Sequence, residues 1–132
     1  MARGLNEARI IGYLGADPEM RHTQSGVPVC NFRVAVNREW RDSQGRGVSE
    51  TTWFRVVAWQ GLAEVCNRYL RKGSRVYVSG RLQNREWVDD QQVTRYAVEL
   101  VAEEMILLDR PANGSVAAQN GQREAVGADL PY

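Results

Sequence analysis

Two cysteines and one histidine are spread over 132 residues, too few and too scattered for a metal centre or a disulfide framework. Cys30 and Cys66 sit inside apolar patterns with no ligand companions, which reads as two buried free thiols. His22 falls on a turn beside Thr23, and no carboxylates cluster for acid and base work. The chain therefore lacks the parts of an enzyme and implies no cofactor. No apolar run approaches the roughly 20 residues of a membrane-spanning helix, and the N-terminus lacks the apolar stretch of a secretion signal. The expected setting is cytoplasmic, with no membrane partner. A net charge of +1 is too small to announce a polyanionic partner. Lysine is almost missing as well: Lys72 is the only one, and every other basic residue is arginine. Arginine pairs with phosphate and also stacks on flat rings, so its placement says more than its total.

What the chain does contain is concentrated in residues 51–59, Thr-Thr-Trp-Phe-Arg-Val-Val-Ala-Trp. β-Branched and aromatic residues without Gly or Pro read as a strand, and strand side chains alternate between two faces. Phe54, Val56 and Ala58 form the face a core would take. Trp53, Arg55, Val57 and Trp59 form the other, where Thr, Lys or Glu would be usual. Two indoles on a wet face mark a contact site, and rings interleaved with arginine suit the flat faces of bases and the charge of phosphates. The same pattern would also fit two Trp covered by another strand or subunit.

The remaining segments have simpler patterns. Residues 8–14 form a first strand, with Gly12 and Gly15 marking bends or close backbone approach. Asp17-Pro18 ends it, and Gln24-Ser25-Gly26 is a turn. Residues 29–37 alternate, with Cys30, Phe32, Val34 and Val36 inward and Asn31, Arg33, Ala35 and Asn37 outward. Residues 38–47 read as a basic loop that carries Trp40. Leu62, Val65, Cys66, Tyr69 and Leu70 form one apolar stripe of a short helix closed by Gly73. Residues 74–82 resume strand alternation, and its odd phase continues through Arg81 and Arg85 to Trp87. Asp89-Asp90-Gln91-Gln92 is a hairpin tip, and residues 93–108 return as a long strand bent near 102–104. From residue 110 the composition turns to Ala, Asn, Gly, Gln and Ser, which predicts a disordered tail.

Strand, strand, strand, helix, strand, strand is the order of an OB-fold: all-β with one short helix, a five-stranded Greek-key barrel. Residues 1–109 would be that domain, and residues 110–132 a linker with a C-terminal tip.

Over residues 4–109, and faintly at the last four, the chain resembles the bacterial single-stranded DNA-binding protein family. The resemblance rests on Gly12-Tyr13-Leu14-Gly15-Ala16-Asp17-Pro18-Glu19, Trp40-Arg41-Asp42, Trp53-Phe54-Arg55-Val56-Val57, Leu62-Ala63-Glu64-Val65, Tyr69-Leu70-Arg71-Lys72-Gly73-Ser74 and Val76-Tyr77-Val78 followed by Gly80. It implies bases stacked at the positions of Trp40, Trp53, Trp59 and Trp87, which are all of the tryptophans in the chain. The Trp59 position is often Phe in relatives, and either ring stacks.

The resemblance further implies a homotetramer, a dimer of dimers. It would coat single-stranded DNA on the nucleoid, without reading sequence, during replication, recombination and repair. Arg33, Arg55, Arg71, Lys72, Arg81 and Arg85 are the candidates for phosphate contact, each with the alternative of a solvated charge or an ion pair. The tip Asp129, Leu130, Pro131 and Tyr132 corresponds to a peptide that recruits replication and repair proteins. The chain departs from the family there, since Asp129 alone remains of the acidic cluster. A primosomal or RNA-binding OB module is the alternative reading, and aromatic faces could also hold sugar rings.

Overall fold

The computed structural model describes residues 3–109. Its elements are β1 (Ala8–Leu14), β2 (Glu19–His22), β3 (Pro28–Arg41), β4 (Gly47–Trp59), α1 (Gln60–Tyr69), β5 (Arg75–Val88) and β6 (Thr94–Leu107). The strands lie in the order β1-β5-β6-β4-β3-β2, and an added β1–β3 pairing closes the ring. Five of them, β1, β3, β4, β5 and β6, form the closed barrel of an OB-fold. β4 and β6 run parallel, because α1 and β5 intervene between them. The expected tail and the tip residues Asp129, Leu130, Pro131 and Tyr132 lie outside the described residues.

β2 is an addition to the expected order. It continues the line of β1 along β3: β1 takes Val34 and Ala35, and β2 takes residues 28–31. His22 is thus paired with Pro28 in a strand rather than placed on a turn.

The inward phase of β3, β4, β5 and β6 fills the core with Cys30, Val34, Val56, Ala58, Val78 and Leu100, all 0 or 1% exposed. Burial raises the thiols, Cys30 to about 11 and Cys66 to about 12, and both are unbridged. Two glycines let strands approach closely. A Cβ on Gly12 would lie 2.2 Å from the carbonyl oxygen of Ala35, and one on Gly80 would lie 1.9 Å from that of Val101.

α1 covers one end of the barrel with a narrower stripe than the sequence suggests. Ala63 and Cys66 are buried, as is Leu70 just beyond the helix, whereas Val65 and Tyr69 are 42% and 55% exposed. Counted from Ala63 the buried positions fall at i, i+3 and i+7, so Val65 and Tyr69, two and six places on, turn to solvent. The helix is capped at Leu70, whose N–H reaches the Cys66 carbonyl. Gly73 serves three residues later, at φ +90, where its N–H donates to Leu14 O at 2.9 Å.

Two hairpins project past the core. β3 and β4 stay paired from Val29↔Trp59 to Arg41↔Gly47, so Trp40 belongs to a strand and not to a loop. A polar sequence hid this extension, because backbone pairing continues where core alternation stops. β5 runs unbroken to Val88, as its odd phase requires. Leu82, in the same phase as Val76 and Val78, is 39% exposed, because the pairing of β1 with β5 ends at Gly80 and no strand covers it on that side. The bend near 102–104 is a bulge: Ser79 pairs with Glu104 and Gly80 with Ala102, which leaves Glu103 unpaired.

Candidate nucleic-acid interface

Cross-strand partners share a face, so the register fixes which rings and cations lie together. On the outer face, Ala35 pairs with Trp53, Arg33 with Arg55 and Val29 with Trp59. β6 extends this face by placing Glu99 beside Arg55 and Val101 beside Val57. β5 extends it again through Arg81, Gln83, Arg85 and Trp87.

Trp53 and Trp59 are 48% and 45% exposed, which places them in contact with solvent and not in the core. Trp53 lies over Gly15, and the guanidinium of Arg33 stands 5.1 Å from its ring centre. A cavity of about 380 Å³ opens at this ring, lined among others by Gly15, Asp17, Asn31, Arg33 and Arg55. A second, of about 320 Å³, opens at Trp59. Glu19, Asn31, Arg55 and Glu99 line both. The two therefore form one groove along β4, with a tryptophan at each end and Arg55 between. Val57, expected on the wet face, is only 5% exposed and forms part of the groove wall. It pairs with Asn31 and Val101, so a neighbour covers it on each side.

Trp87 is half-buried, with the Arg85 guanidinium 5.3 Å from its ring centre. Arg85 Nη1 is also 3.6 Å from Glu99 Oε2, and Arg81 Nη1 is 3.6 Å from Glu103 Oε2. Trp40 differs from the other three. It pairs with Val48 and shares the phase of Val36 and Arg38, the reverse of the Trp53 face. The projecting hairpin still leaves it 37% exposed, with Arg38 stacked 4.5 Å away.

The two hairpin tips are built alike. Asp42 Oδ1 accepts from the backbone N–H of Gln44 and Arg46, and Oδ2 accepts from Arg46 Nε. Asp89 does the same with Gln91, Val93 and Arg95. These bonds hold both carboxyls below the usual range, led by the Arg46 backbone N–H at Asp42 and the Arg95 side chain at Asp89. Each tip begins two residues after a tryptophan, Trp40 or Trp87.

Arg71 stands apart from the groove, and Lys72 sits at its rim. Arg71 Nη1 donates to the carbonyls of Asn67 and Leu70 at 3.1 and 2.6 Å, which places its charge at the helix C-terminus. The Lys72 backbone N–H donates to Asp17 at 2.8 Å, beside the Trp53 cavity. Sequence reasoning passed over Gly15 as a seat for Trp53, Arg38 as a cation over Trp40, and Glu99. Arg38 carried a signal, since it lies two residues from Trp40 on a strand.

Residues 5–108 match the Single-strand binding protein family. The chain belongs to that family. It is 46% identical over 115 residues to Single-stranded DNA-binding protein 1 of Chlorobaculum tepidum, covering 86% of this chain and 71% of the relative. Identity to the protein of the same name from Xylella fastidiosa is 38% over 126 residues, 95% and 93% of the two chains. The fold superposes with TM-score 0.75 on a Plasmodium falciparum SSB solved in complex with ssDNA, at 33% identity over 83% of this chain and 99% of the other. Family membership agrees with a binding protein rather than an enzyme. Among the described residues no helix is long and apolar enough to cross a membrane.

Proposed function

We propose that this member of the single-strand binding family binds and protects single-stranded DNA without reading its sequence, with residues 1–109 as the binding domain. The observation that carries the reading is the groove itself, which has solvent-exposed Trp53 and Trp59 at its ends and Arg55 between them. Bases stack on Trp53, Trp59 and Trp87, and on Trp40 further along the strand, each stack contributing about 1–3 kcal/mol. Arg33, Arg55, Arg81 and Arg85 meet phosphates, with Lys72 at the rim. Single strands are selected because duplex bases are already stacked on one another.

The same reading includes a homotetramer, a dimer of dimers, acting in replication, recombination and repair on the nucleoid. The tip Asp129, Leu130, Pro131 and Tyr132 would recruit partner proteins. Intrinsic tryptophan fluorescence titrated with oligothymidylate, oligouridylate, duplex DNA and an oligosaccharide tests the binding. Strong quenching by the DNA single strand supports it. Quenching by sugar alone, or none, ends it, and a clear preference for the RNA strand favours an RNA-binding module. Light scattering with and without long oligothymidylate tests the tetramer.

A further inference from the structure

A surface that meets a polyanion would be expected to present cations and neutral groups. Here a carboxylate is buried in it: among the described residues the buried polar side chains are Ser74 and Glu99, the latter 7% exposed. Glu99 lies on the floor of the groove and lines the cavities at both Trp53 and Trp59. In register it sits between Arg55 of β4 and Gln83 of β5. Its contact with Arg85, 3.6 Å from Oε2, is an ion pair too long to be a hydrogen bond. The carboxylate therefore keeps acceptor capacity on the groove side.

The two halves of a nucleotide meet such a group differently. A phosphate moving toward the floor brings like charge against a carboxylate in a partly desolvated site, where repulsion is strongest. A base edge brings N–H donors, which an ionised carboxylate accepts. On the reading of the groove as the DNA site, we propose that Glu99 is a specificity-determining residue. It reserves the floor for base edges and turns phosphates outward, toward the exposed guanidinium groups of Arg33, Arg55 and Arg81. Sequence tolerance is kept, because all four bases carry N–H donors on an edge.

The test compares two probes of equal length on the full chain by fluorescence anisotropy: oligothymidylate and an abasic oligonucleotide with the same sugar-phosphate backbone. The parent chain prefers the thymidylate. Glu99→Gln, which keeps shape and loses charge, raises affinity for the abasic strand about tenfold while thymidylate affinity stays within about threefold, the size expected for removing one screened repulsion. Asn31→Asp, on a side chain lining both cavities, adds a charge to the same floor and shifts the ratio the opposite way. It carries the test should Glu99→Gln not fold. An unchanged ratio overturns the proposal, whether both affinities rise through general charge or both fall through loss of Arg85 positioning. If the parent chain binds neither probe, the DNA reading itself is lost and this inference with it.

Discussion

Gly15 is the seat of Trp53: a Cβ built at position 15 would stand 2.6 Å from the ring atom Cζ3. No real contact tolerates that distance, so Gly15→Ala forces the indole to move. The ring is exposed on its other side and can yield, which keeps the cost to the fold small. The expected outcome is a melting temperature within a few degrees of the parent, with affinity for oligothymidylate reduced by up to one stacking contribution, about 1–3 kcal/mol. Thermal unfolding and fluorescence titration on the same preparation check both parts. Unchanged affinity would show that the present pose of Trp53 is not the binding pose.

The alternation that placed Trp53, Trp59 and Trp87 outward was legible because a strand's period of two survives in a half-buried sheet. The helix, the hairpin tip at 89–92 and the bend near 102–104 were legible for similar local reasons. β2 was not, since Glu-Met-Arg-His is a four-residue edge strand in which only Met20 is even half-buried. The face of Trp40 was hidden because the polar residues around it carry no alternation to count. Glu99 carries no mark in the sequence that sets it apart from the chain's other acidic residues. What buries it is the parallel β4–β6 pairing that brings Arg55 alongside, a long-range event with no local signature.

Arg55 and Arg71 separate phosphate contact from structural use of charge. Arg55 lines both halves of the groove, while Arg71 donates to the helix carbonyls of Asn67 and Leu70. Each phosphate contact adds roughly 0.7 to the magnitude of the salt slope of single-strand binding. Arg55→Ala is therefore expected to flatten the slope by about that amount, with weaker binding at low salt. Arg71→Ala is expected to leave the slope unchanged and to lower stability by about 0.5–1.5 kcal/mol through the lost helix-end bonds. Affinity measured across a salt series, with denaturant unfolding beside it, decides between them.

Asp42 and Asp89 give the hairpins a pH dependence. Both carboxyls are held below their ordinary value of 3.8 by bonds formed in the folded tips. A group lowered in this way stabilises the fold above its unfolded value and gives up that contribution as pH falls through the folded value. The tips are accordingly unaffected near neutrality and loosen on acidification below 3.8. Amide exchange at Gln44, Arg46, Gln91 and Val93 during acid titration reports this directly. Protection that persists until the barrel itself unfolds would show that the turns do not depend on these carboxylates.

Trp40 lies on the opposite side of the β3–β4 ladder from Trp53 and Trp59, and this makes its contribution depend on ligand length. Its partner Val48 is five positions from Trp53 along β4, roughly 17 Å at the usual strand rise. A strand that spans Trp53 to Trp59 has no reason to touch Trp40. One that continues past Trp53 must cross the hairpin edge to reach it. Trp40→Ala is therefore expected to leave the affinity for a short oligothymidylate covering the groove within about twofold, while a longer strand loses about 1–3 kcal/mol. Trp53→Ala weakens both. Titrations with a ladder of oligothymidylate lengths give the crossover length directly. An equal loss from Trp40→Ala at every length would mean that the bound strand does not follow the groove from Trp53 to Trp59, because a path along that face cannot reach both sides of the hairpin at once.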